Sequence, residues 1–166
     1  MNYFELFEIP VQLHVDKATL PKKYFEMSRK YHPDYFVNEN DTVQAEVLEK
    51  SSLLNKAFKT FQNPDDTIKY VLQLKGLLVE EEKYELPPDF LMEVLEMNEQ
   101  LMDMDESHHA QLVKRIDELQ AEIYAPVRNI VEGYKEGVTT EKELLQVKDF
   151  YYKKKYIDRM REQLSQ

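Results

Sequence analysis

Three features of the sequence predict an all-α protein in two helical units. Apolar residues recur at steps of three and four along most of the 166 positions, the period of one buried helix face. Charged residues make up 33% of the chain, the formal net charge is −10 and there are only 3 glycines, a profile that suits a soluble helical protein. The acidic run Glu80-Glu81-Glu82 and the pair Pro87-Pro88 then punctuate the pattern. They divide the chain into a first unit, 1–76, a linker, 77–86, and a second unit, 87–166, expected to be a three-helix bundle.

The first unit reads as four helices. Asn2 to Phe7 form a short one, closed by Ile9-Pro10. Asp16 or Thr19 caps the second, with Pro21 in its first turn, where a missing backbone donor costs nothing. Leu20, Tyr24, Met27, Ser28 and Tyr31 share one face of it, and Lys22, Lys23, Glu26, Arg29 and Lys30 lie opposite. It must end near Tyr31, because Pro33 lacks a donor, clashes with a preceding turn and pushes His32 out of the α region. Tyr35 to Asn40 is expected to be a loop. Asn40 or Asp41 caps a third helix, in which Val43, Val47, Leu54, Phe58 and Phe61 keep helical spacing to Gln62. Asn63-Pro64-Asp65-Asp66 opens a fourth, carrying Ile68, Val71, Leu72 and Leu74 and stopping at Gly76. Asp65 and Asp66 are read as first-turn acids on the positive end of the helix dipole, not as metal ligands.

In the second unit, a fifth helix from Pro88 to Met104 has Phe90, Val94, Met97, Leu101 and Met104 as its seam. It holds more apolar residues than the seam uses. Leu91, Leu95 and Met102 form a second stripe, bordered by Met92, Glu96 and Glu99. Such a helix is either buried on both sides or offers one stripe to a partner, and the sequence leaves both open. The sixth helix, Ser107 to Glu136, carries Leu112, Ile116, Leu119, Ile123, Val127, Ile130 and Tyr134, with a kink expected at Pro126. His108-His109 is read as a solvated pair, since adjacent helical positions face apart and no third ligand is near. Thr140 and Glu143 make a capping box for the seventh helix. That helix holds Val147, Phe150, Ile157, Met160 and Leu164, with Lys153-Lys154-Lys155-Tyr156 on its surface side.

Composition also excludes. A net charge of −10 argues against a nucleic-acid binder, which needs a basic surface. No cysteine is present, so disulfides and thiolate metal sites are ruled out. No apolar run reaches the roughly 18 residues of a membrane span. The start Met1-Asn2-Tyr3-Phe4-Glu5 has neither a secretory nor an Arg-rich transit pattern, so the expectation is a cytoplasmic protein. A monomer without cofactor or metal is expected as well.

The tripeptide His32-Pro33-Asp34 sits between two amphipathic helices, at the end of a cationic stripe. Alone it reads equally as a helix stop or as a displayed imidazole and carboxylate. With Tyr3-Phe4-Glu5-Leu6-Phe7-Glu8-Ile9-Pro10, Arg29-Lys30-Tyr31, Leu54-Asn55-Lys56-Ala57-Phe58 and Asn63-Pro64 in order, residues 1–76 resemble a J-domain, the module that docks on DnaK-class chaperone ATPases and triggers ATP hydrolysis. That resemblance implies a chaperone-binding set of His32, Pro33, Asp34, Lys22, Lys23, Arg29 and Lys30. Tyr35 departs from it, standing where J-domains commonly carry Lys or Arg.

With Leu86-Pro87-Pro88-Asp89-Phe90-Leu91-Met92-Glu93 and a helical bundle after it, nearly the whole chain is similar to the HscB family, co-chaperones of iron-sulfur cluster assembly. The resemblance implies no enzymatic activity, delivery of the cluster scaffold IscU to an HscA or DnaK chaperone, and stimulation of that chaperone's ATPase. It also implies a scaffold-binding patch of Leu91, Met92, Leu95, Glu96 and Glu99, with Tyr156 or else Phe150 contributing from the last helix. Two other readings remain: a J-protein for unfolded clients, and a small hydrolase using His32 and Asp34, which would need the two in contact beside a pocket.

Overall fold

The computed structural model describes residues 1–103 and 105–165, and among these there are helices and no strands. The chain forms two compact units. The first comprises Met1–Val71 with Tyr134–Val138, and the second Leu72–Gly133 with the chain from Thr139 on. No helix is long and apolar enough to cross a membrane among the described residues.

In the first unit, α1 (Tyr3–Phe7), α2 (Leu20–Lys30), α3 (Asp41–Gln62) and most of α4 (Pro64–Leu74) follow the expected order. Local side chains set their starts. Asn2 accepts from the Glu5 N–H at 2.8 Å and Asn40 from the Val43 N–H at 2.9 Å. Asn63 accepts from both Asp65 and Asp66, at 2.9 and 3.1 Å. Of the two caps considered for α2, Thr19 takes the position without a side-chain cap bond, while the Asp16 carboxylate is spent on the Ala18 N–H at 2.9 Å. The core centres on Phe61, whose ring lies 4.9 Å from Phe4 and 5.3 Å from Phe7. Leu20 and Met27 of α2 and Leu54 and Ala57 of α3 are also buried. Tyr24 ties α2 to α3 by packing its ring, tilted by 33°, on Phe58 with centroids 4.3 Å apart and by donating to Asn55 at 2.6 Å.

The expected loop after the tripeptide is instead opened by a 3-10 turn, Pro33–Phe36, which contains Pro33 and Asp34. Proline suits the first position of such a turn, and the His32 side chain caps it, so the chain reverses without a long irregular segment.

The second unit packs α5 (Pro88–Met102), α6 (Glu106–Tyr124), α7 (Arg128–Glu132) and α8 (Glu141–Leu164). Both α5 and α6 lie against α8. Phe90, Val94, Met97, Leu112, Ile116, Leu119, Ile157 and Met160 form the core, with Leu101 half-buried beside it. Met104, the last seam position read from the sequence, lies outside the described residues. The capping box of Thr140 and Glu143 opens α8 with both bonds present.

Three expectations are corrected in this unit. The sixth helix is not one kinked helix from Ser107 to Glu136. It starts on an Asp105 cap, stops at Tyr124 and resumes as α7, because Pro126 has no N–H and the Val127 N–H turns back to Tyr124 at 3.0 Å instead of four residues back. The helix α7 ends at Glu132 with Gly133 as its cap, so Tyr134 is not part of it, and Val131 is buried where Ile130 was expected. Finally, Lys153, Lys154 and Tyr156 are half-buried rather than on a surface side, and only Lys155 of that run is exposed.

The stretch read as a linker, 77–86, belongs to the second unit by contact. After α4 ends with Gly76 at φ 73, Leu78 and Leu86 are buried. Glu82 accepts from Tyr152 at 2.8 Å and from Lys148 at 3.0 Å, both on α8. Tyr84 stacks on Tyr152 at 4.5 Å and donates to Asp149 at 3.0 Å.

Candidate protein-docking surfaces

Two surfaces, one in each compact unit, carry the residues singled out in the sequence. The first is the tip between α2 and α3. The His32 Nδ1 accepts from the Asp34 N–H at 3.2 Å. The side chains are 50% and 84% exposed, and Nδ1 stands 3.6 Å from the Asp34 carboxylate, so both groups are displayed on a turn. Tyr35 makes a T-shaped ring contact with His32, centroids 6.0 Å apart, and with Val37, also exposed, it makes the tip apolar as well as polar.

Behind the tip runs the cationic face of α2. Lys22 and Arg29 are exposed. Lys23 lies 3.8 Å from Glu26, and Lys30 bonds Glu8 at 3.2 Å. The hydrogen bond to Glu8, then the Tyr31 and Glu8 charges, hold the Lys30 ammonium above its ordinary 10.5. The face is therefore partly neutralised within the chain, and Lys22 and Arg29 are its cations without an ion pair among the described residues. One residue here escaped the sequence reading. Phe25 is exposed, and at roughly 100° per residue it falls beside Arg29 and Lys22. The available signal was a large aromatic on the polar side of an amphipathic helix.

The second surface is on α5. With Phe90, Val94 and Met97 turned into the core, Leu91 is 39%, Met92 63%, Leu95 59% and Met102 86% exposed. Glu96 and Glu99 are exposed next to them and line an open cleft of about 660 Å³ with Asp103, His108 and Arg115. The two-stripe pattern thus resolves into one buried and one exposed stripe. Of the two aromatics considered on the last helix, Phe150 is buried against Tyr124, with ring centroids 5.3 Å apart. Tyr156 is half-buried at the α5 boundary, in a T-shaped contact with Phe90 with ring centroids 6.2 Å apart, and Arg159 lies over its face at 5.2 Å.

The histidine pair is not simply solvated. His108 Nδ1 meets the Asp105 carboxylate at 2.7 Å, inside the cap of α6. The hydrogen bond from Ser107, then that from His108, hold Asp105 down at about 2. No cluster of three metal-ligating side chains occurs among the described residues.

Comparison with known proteins bears on both units. Residues 86–165 match the family described as the HSCB C-terminal oligomerisation domain. The chain is 36% identical over 112 residues to the co-chaperone protein HscB of Proteus mirabilis, a match that takes in 67% of this chain and 65% of that protein, just under two thirds of its length. It is 34% identical over 142 residues to the co-chaperone protein HscB homolog of Shewanella halifaxensis, covering 85% of this chain and 76% of the relative. The crystal structure of human co-chaperone protein HscB superposes with a TM-score of 0.79 at 26% identity, covering 99% of this chain and 81% of that one.

Proposed function

We propose that this chain, which belongs to the HscB family of co-chaperones, is a cytoplasmic adaptor with no chemistry of its own. The tip and cationic face of α2 dock on a DnaK- or HscA-class chaperone and stimulate its ATP hydrolysis. The exposed stripe of α5 holds an IscU-type cluster scaffold and presents it to that chaperone. The observation that carries this reading is the exposure of Leu91, Met92 and Leu95 beside Glu96 and Glu99 on a helix whose opposite face is core. Contiguous exposed apolar side chains rimmed by polar ones mark interaction sites. Tyr156 would border the scaffold at the edge of that face.

On the chaperone side, the cations of α2 call for an acidic partner surface, which steers the encounter and fixes its register. Such docking is screened over about 8 to 10 Å near physiological ionic strength. Titration of a purified chaperone of this class should therefore show affinity falling as salt rises. Replacing Lys22 and Arg29 with Ala should weaken docking at low salt and flatten that dependence. A wild-type affinity indifferent to salt would contradict the assignment of this face.

A second reading draws on the description of the matched family, which attaches oligomerisation to this part of the relatives. The α5 stripe would then bury against a second copy of the chain. Sedimentation of the protein alone, at the concentrations used for scaffold titration, separates the readings: an adaptor with a free stripe sediments as a monomer.

A further inference from the structure

Among the described residues, the methionines of the helices fall into two groups of opposite exposure. Met27, Met97 and Met160 are buried in the cores, whereas Met92 and Met102 are exposed on the stripe of α5 that also carries Leu91 and Leu95. At roughly 100° per residue Met102 falls between Leu91 and Leu95 in angle, and Met92 stands on the border of the stripe toward Glu96 and Glu99. We infer that Met92 and Met102 are reversible oxidation sites through which peroxide shuts off docking at the α5 face. This rests on the reading of that face as the scaffold site.

The step needs no catalyst. The Sδ lone pair attacks one oxygen of hydrogen peroxide, the O–O bond breaks, and proton transfer releases water. The sulfur is oxidised by two electrons to the sulfoxide, and the peroxide is reduced. Methionine sulfoxide reductases reverse it: two reductase thiols become a disulfide and the oxygen leaves as water, with one reductase for each sulfoxide epimer. Thioether accessibility controls the rate, so the buried methionines are protected while the fold is intact. A sulfoxide places a strongly polar oxygen where an apolar, adaptable side chain would meet a partner. Burying it without a donor would weaken docking by roughly ten- to a hundredfold. The core faces of α5 are not touched, so the fold survives the modification.

The test treats the purified full chain alone with hydrogen peroxide, removes the peroxide, and only then titrates an untreated IscU-type scaffold. Peptide mass spectrometry should find the added oxygen on Met92 and Met102 before Met27, Met97 or Met160. Scaffold affinity should drop by roughly ten- to a hundredfold with helical content unchanged, and return after treatment with both reductases. The variant Met92→Leu, Met102→Leu removes only these two thioethers and retains the other methionines. Whatever its starting affinity, that affinity should be the same before and after peroxide. Sulfoxide at both positions without loss of affinity would overturn the inference, as would an equal loss in the double variant. Absence of scaffold binding by the untreated wild type would instead defeat the docking reading, and this inference with it.

Discussion

Glu81 holds φ at 59, in the left-handed region where a β-carbon is crowded by the following carbonyl, at a cost of roughly 1–2 kcal/mol. Asn visits that region more readily, so Glu81→Asn should raise the unfolding free energy of the second unit by about 0.5–1 kcal/mol in urea melts. Glu8 at φ 56 is a different case. Its N–H and that of Ile9 close α1 onto Glu5 and Phe4, and its carboxylate holds Lys30, so the same change there trades strain relief against a lost contact. The neighbour of Glu81 gives a prediction of acid behaviour. Burial pushes the Glu82 carboxyl up, but hydrogen bonds from Tyr152, Lys148 and the Val79 N–H, with the Lys148 charge, outweigh it and hold the group below its ordinary 4.5. A depressed folded value means the stabilisation is present above 4.5 and is lost as pH falls through the folded value. Glu82→Gln should therefore destabilise the second unit at pH ~7, and the difference from wild type should shrink toward zero well below that carboxylate range, read from melts at both ends.

Individual elements differ in how far the sequence specified them. Helix starts were legible where a short polar side chain precedes the first turn, as at Asn40, Asn63 and Thr140, because that side chain accepts from one or two of the free first-turn N–H groups. The outcome at Pro126 was not. A proline removes one bond whether the helix bends or breaks, and the decision lies in the packing of Val127 and Val131, which periodicity does not contain. The turn after His32 was hidden for a similar reason: its cap is the imidazole itself, a rare capping group. On α5, the division into two stripes was legible from spacing, but which stripe faces water depends on α6 and α8. It also shifts one comparison. Leu101, expected as a deep seam residue, is half-buried, whereas Met97 is fully buried, so Met97→Ala is the proper core truncation, costing about 2–5 kcal/mol. Leu91, Met92 and Leu95 changed together to Ala should cost less folding stability than Met97→Ala alone. The same triple change should abolish scaffold binding, since each side chain fully buried in a complex contributes roughly 1.5–3 kcal/mol, somewhat less for the already part-covered Leu91. Denaturant melts beside scaffold titrations decide it, and a triple variant that melts earlier yet still binds would contradict the two-stripe reading.

At the scale of the whole molecule, the proposed function rests on one docking surface in each compact unit, both carried by a single chain. The residues at the tip display His32 and Asp34 without burying either, and those on α5 display apolar area without loosening the core beneath it. Loss of one surface should therefore leave the other working. The most direct measurement is steady-state ATP hydrolysis by a purified HscA- or DnaK-class chaperone, with and without an IscU-type scaffold, in the presence of four forms of this chain. Wild type should stimulate hydrolysis, and more so with scaffold. Asp34→Asn should give no stimulation in either case while still binding scaffold. The variant Leu91→Ala, Met92→Ala, Leu95→Ala should stimulate equally with and without scaffold, and the combination of both changes should do nothing. Stimulation by Asp34→Asn equal to wild type, or ATP hydrolysis by this chain alone, would contradict the account.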